Sequence, residues 1–184
     1  MKCKGIAGAA KRGHATAKEK CMVITANIQK QLDELRVVGL ARYAAVKSAE
    51  QAYNDALARE RAAYEYAAKH GEFYTEDGKR VKGEKDAFLM NEATFTNEFV
   101  PLIAQGYKEM FGLDYPAGYT PVFEQFLSPL NDARKSYRRI AAAFLRIMGR
   151  DEEAQHIDRA LEGYVHPKYM EDLDKINQKF LGIE

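Results

Sequence analysis

No proline precedes Pro101, and between Thr16 and His70 the only glycine is Gly39. Nothing in that span removes a backbone donor or loosens the chain, so nothing in it stops a helix. Tryptophan is missing. The two cysteines, Cys3 and Cys21, are too few for a disulfide framework and fit a reducing compartment. Long apolar runs are missing too. Cys21 to Ile24, the longest near the N-terminus, falls far short of the roughly 20 residues a membrane span needs, so no membrane partner is expected. Met1-Lys2-Cys3-Lys4 is followed by no apolar signal core. Secretion by that route is not expected, and the expected location is the cytoplasm or a large particle.

Catalytic and cofactor signatures are equally scarce. There is no glycine pattern for a dinucleotide or a P-loop, and none of Ser48, Ser128 and Ser136 sits in a glycine-flanked elbow. Cys3, His14 and Cys21 match no zinc spacing and want a fourth ligand. Glu153-Ala154-Gln155-His156 has the Glu-x-x-His spacing of a di-iron bundle, but the second copy such a site requires is absent. The expectation is a non-enzyme with no metal and no cofactor.

What is present is helical periodicity. Thr16 and Glu19 form a capping box, and Gly71 can close a helix in the left-handed conformation. Between them Ile24, Ile28, Leu32, Leu35 and Val38, then Tyr43, Val46, Ala49, Tyr53, Leu57 and Tyr64, recur in steps of threes and fours, with a slip near Gly39. The pattern predicts one helix over 16–71, with a kink or a change of packing partner at Gly39. A helix of that length would span roughly 80 Å, whereas a compact chain of this size is only about 32 Å across, so the helix should protrude or pair.

After it, Asp77-Gly78 lies between short β-compatible segments and predicts a hairpin over 72–83, with Phe73 or Val81 packed on the helices. A second helical region is expected over 84–111, with a kink or restart at Pro101. Thr120-Pro121 and Ser128-Pro129 each place a capping side chain before a first-turn proline, and the next helix is expected to run from Pro129 to Met148. Asp151 is expected to cap a short helix and His166-Pro167 to start the last one. The fold class is therefore all-α: one long helix, a β-hairpin and a cluster of shorter helices. Residues 16–184 form a single domain, and 1–15 are a separate basic arm.

The charge is +1 overall but unevenly placed. The first 20 residues hold six basic residues against Glu19 alone, a local balance of +5. Lys2, Lys4, Lys11 and Arg12 lie among glycines and alanines, as in an arm that rests on an acidic partner. A second basic series, Arg134, Lys135, Arg138, Arg139, Arg146 and Arg150, is uninterrupted by acid, and Lys135, Arg139, Arg146 and Arg150 can share a helix face.

These features point to an assembly or interaction subunit, a homo-oligomer or one protein of a larger complex such as a virion. Tyr43, Val46, Tyr53 and Leu57 would make its contact stripe. The alternative is a nucleic-acid-associated protein that uses the arm and the Arg134 to Arg150 series, without base readout. A small-molecule enzyme ranks third.

Overall fold

The computed structural model describes residues 26–116, 121–163 and 166–183, and its regular elements are all helical. Helix α1, Ala26–His70, is continuous over 45 residues, roughly 68 Å at the standard rise. The helix runs unbroken through Gly39, and it changes packing partner along its length.

Near its start, Gly39 lies against the Leu181 side chain, where a Cβ would come within 2.6 Å of a methyl carbon. Farther on, Val46 packs with Tyr137 and Leu181. From Ala56 onward, small and aromatic residues of α1 join the main core with Phe95, Phe99, Ile103 and Tyr107. The capping box at Thr16 and Glu19, the arm at 1–15 and the cysteine–histidine group at Cys3, His14 and Cys21 lie outside the described residues.

No strand occurs among the described residues, so the expected hairpin over 72–83 is corrected to a looped turn with one antiparallel bridge, Tyr74 to Arg80. The turn is closed by Thr75 N–H donating to Lys79 O at 2.8 Å, with Gly78 at φ 81°. The Thr75 hydroxyl binds both the Asp77 carboxylate and the Lys79 backbone, and this local satisfaction leaves little for a ladder to add. Phe73 and Val81 are buried, and Phe73 meets Phe99 edge-on at 5.0 Å. The turn therefore anchors its two apolar ends on the helices.

The helical region expected over 84–111 consists of α2 (Glu84–Ala87), α3 (Glu92–Thr94), a π-helical turn (Phe95–Phe99) and α4 (Val100–Phe111), with the restart at Pro101 as expected and a further break before Glu92. The wide turn sits where Pro101 requires it. Proline lacks an N–H and its ring crowds the carbonyl four residues back, and Val100 N–H reaches five residues back to Phe95 O. Phe95 and Phe99 both point into the core as a result. Gly106 lets α4 approach α1 closely: a Cβ there would lie 2.5–2.6 Å from ring carbons of Tyr66.

Helix α5, Glu124–Ile147, carries Pro129 inside it, so the expected start at Ser128-Pro129 is corrected by one and a half turns. Its first turn is built from bonds three residues back, beginning at Pro121. Pro129 is exposed, so the carbonyl it leaves unpaired faces water.

Helix α6, Asp151–Glu162, starts with Asp151 already helical and with no side-chain cap, which corrects the capping role expected of Asp151. Helix α7, Pro167–Leu181, starts at His166-Pro167 as expected, and His166 Nδ1 accepts from Lys168 N–H at 3.2 Å. One side of α5 packs on α1, and the other side carries α6 and α7 around Ala141, Ala142, Ile157 and Leu173.

Candidate functional site

The stripe Tyr43, Val46, Tyr53 and Leu57 shares a face of α1, but that face is turned inward. Val46 is buried, and Tyr43 tilts against Tyr137 at 5.6 Å between centroids. Tyr53 stands edge-on to Phe123 at 5.9 Å, and Leu57 is half-buried. The expectation that this stripe meets water is corrected: α5 and the end of α7 cover it. Sequence reading found the stripe and could not find its cover, because the covering residues lie about 70 to 140 positions away.

The basic series on α5 is brought together as expected, yet each cation has a carboxylate beside it. Arg134 donates to Glu50 of α1 at 3.0 Å. Lys135 and Arg139 share Glu162 of α6, and Arg146 pairs with Asp158. Arg150 grips Glu153 with Nε and Nη2. Arg138 forks onto Asp174 of α7 at 2.9 and 2.8 Å. Lys135 and Arg139 hold the Glu162 carboxyl below the usual carboxylate range. Lys47 and Arg134 do the same for Glu50 and outweigh the opposing effect of its partial burial. Five of these cations clasp α5 to α1, α6 or α7 and Arg150 pairs within the first turn of α6, so this face is not an open cationic strip. Lys2, Lys4, Lys11 and Arg12 lie outside the described residues.

The face of α1 opposite the core is a different matter. Lys30, Glu34, Val37, Ala41, Ala44, Ser48, Gln51 and Asp55 follow in alternating steps of four and three, and all of them are exposed. That is a heptad seam on the solvent side. Val37 is 70% exposed, and Val38 and Leu40 flank it in water. The middle four seam residues are small or β-branched and uncharged. A charge of each sign closes the two ends, with Lys30 beside Glu34 at one end and Asp55 at the other, where it accepts from Gln51 at 2.7 Å.

A second feature is a cavity of about 580 Å³ between α5, α6 and α7. Buried Ala141, Ile157 and Leu173 form its floor, and His156, Glu152 and the Arg150–Glu153 pair stand at its mouth. Sequence reading weighed Glu153 and His156 as half of a di-iron pattern and set the metal aside for want of a second copy. It missed the cavity, whose walls come from three helices. Among the described residues, no helix is long and apolar enough to cross a membrane.

No protein-family model, no curated protein and no solved structure matches the chain.

Proposed function

We propose that this protein is a non-catalytic assembly subunit whose partner is a second copy of itself, bound antiparallel along the outer face of α1. The observation that carries the reading is the exposed heptad seam, with the Lys30–Glu34 pair at one end and Asp55 at the other.

A two-fold axis at the middle of the seam sets Val37 against the partner copy's Ser48 and Ala41 against its Ala44. The same axis sets Lys30 opposite Asp55 at both ends. A parallel arrangement would put Lys30 on Lys30 and Asp55 on Asp55, which is repulsive. Small central residues allow two such helices to approach closely. The contact is one helix pair over roughly 37 Å, at the low end of stable interfaces, so the dimer should be weak and concentration-dependent. The nucleic-acid reading loses its support on α5, because the cations there are paired within the chain.

Sedimentation velocity over a wide concentration range tests the proposal. The wild type should pass from monomer to dimer, and Ala41→Glu with Ala44→Glu should abolish the dimer at unchanged helical content. Lys30→Asp alone should weaken it, and Lys30→Asp combined with Asp55→Lys should restore it. A monomer throughout the range, or a dimer indifferent to these changes, overturns the reading.

A further inference from the structure

The cavity between α5, α6 and α7 is separate from the outer face of α1 and has its own chemistry. Its volume of about 580 Å³ lies within the ~300–1,000 Å³ typical of small-molecule sites. Each helix contributes one face. Helix α5 gives Ala141, Phe144 and Leu145, α7 gives Tyr169, Leu173 and Ile176, and α6 gives Glu152, Glu153, His156 and Ile157. The steps are those of a single helix side in each case.

The polar groups stand at the mouth. Arg150 is closed on Glu153 by both Nε and Nη2, so the pair adds little net charge to the mouth. Glu152 is exposed and has no cationic partner among the described residues. Tyr169 lines the wall half-buried, with the His156 ring edge-on to it at 6.4 Å. An anion entering here would have to displace Glu153 from Arg150 and then sit beside Glu152. A cation meets an unpaired carboxylate and an aromatic face.

We infer that this cavity binds an amphipathic amine, with its apolar body on Phe144, Leu173 and Ile176 and its ammonium group at the mouth beside Glu152. The floor supplies the bulk of the binding and Glu152 the choice of charge. An exposed carboxylate at the mouth of an apolar site is worth a factor of about five.

Three probes of one shape separate these contributions: 4-phenylbutylamine, 4-phenylbutanol and 4-phenylbutyrate, followed by calorimetry and by the ring signals of Tyr169 and His156 in NMR spectra of the intact chain. The amine should bind about fivefold tighter than the alcohol, and the carboxylate more weakly than either. Glu152→Gln should bring the amine down to the alcohol's affinity and leave the alcohol unchanged. Ala141→Leu, which fills the floor, should abolish binding of all three. Ile176→Ser, at a position 47% exposed and so tolerant of change, should weaken the amine and the alcohol alike by about threefold or more. The inference is overturned if none of the probes binds at millimolar concentration, or if the carboxylate binds best. It is equally overturned if Glu152→Gln leaves the preference intact, or if folded Ile176→Ser binds as the wild type does.

Discussion

Glu60 is a charge-bearing side chain only 1% exposed, set in the aromatic end of the core. It lies on α1 and accepts from Tyr115 O–H at 3.1 Å and from Phe123 N–H at 3.3 Å, at the entry to α5. An acid of one helix thus supplies the anionic cap for the start of another, more than 60 positions along the chain. Burial raises its pKa above the usual carboxylate value, hydrogen bonds from Phe123, Tyr115 and Val122 pull the other way, and the charge of Glu84 adds to the rise.

The sign for stability follows from linkage. The folded state holds the proton more tightly than the unfolded one, so this group's contribution is fully present below the unfolded value. It is lost as pH rises through the raised folded value. Wild type should therefore gain stability relative to Glu60→Gln as pH falls from 7 toward the ordinary glutamate value of about 4.3. Paired urea titrations at several pH values measure the difference, and a constant gap would show that Glu60 is not perturbed.

Tyr137 offers a second test, since its hydroxyl is buried with no hydrogen-bond partner among the described residues. Burial and the nearby Asp174 push its pKa up to about 12. Tyr137→Phe removes a group that lost water and gained nothing. It should leave stability unchanged or raise it by about 1 kcal/mol, read as a shift in the urea midpoint.

The helices divide into those whose limits are written locally and those set by distant neighbours. Helix α1 was legible because its period of threes and fours runs unbroken by proline, and α7 because His166-Pro167 is a self-sufficient start. The start of α5 was not legible. Ser128-Pro129 carries the stronger local signal, but Glu60 from α1 holds the chain at Phe123 and the helix begins there. The turn at Asp77-Gly78 was foreseen, whereas the strands around it yield to the Thr75 side chain. For the candidate site, periodicity located the inner stripe of α1 but not its cover, and it missed the outer face, whose central residues are mostly small. Charge spacing gathered the α5 cations but hid their partners on α1, α6 and α7.

The α1–α4 crossing is another feature invisible in one dimension, because it depends on Gly106 meeting the Tyr66 ring. Gly106→Val should overpack this contact and cost about 1–3 kcal/mol, visible in the urea midpoint at an unchanged slope. No loss would mean that the two helices are free to slide apart.

Taken as a whole, the described molecule is one long helix clad on one side by α4, α5 and the end of α7, with α6 packed behind α5. Five of the six cations from Arg134 to Arg150 are paired with carboxylates of other helices and the sixth with Glu153, so this face presents little net field to a polyanion. Replacing both Arg139 and Arg146 by Ala should leave any binding to duplex DNA, and its dependence on salt, unaltered. A filter-binding series at low ionic strength checks this. A fall in the salt slope on removing those two side chains would show that phosphate can compete with Asp158 and Glu162.

The cladding also has a consequence for how the chain is made. Helix α1 leaves the ribosome first, and the residues that cover Val46, Tyr43 and Gly39 include Tyr137 and Leu181, near the far end of the chain. Translation adds about 5–20 residues per second, so the inner stripe of α1 waits roughly 5–20 s for its cover. During that interval the nascent chain presents an amphipathic helix with a bare apolar side to whatever is near. Two ribosomes on one message would bring two such helices together before either is clad. The time spent unclad, more than the stability of the finished fold, then governs whether the protein reaches its own packing or that of a neighbour.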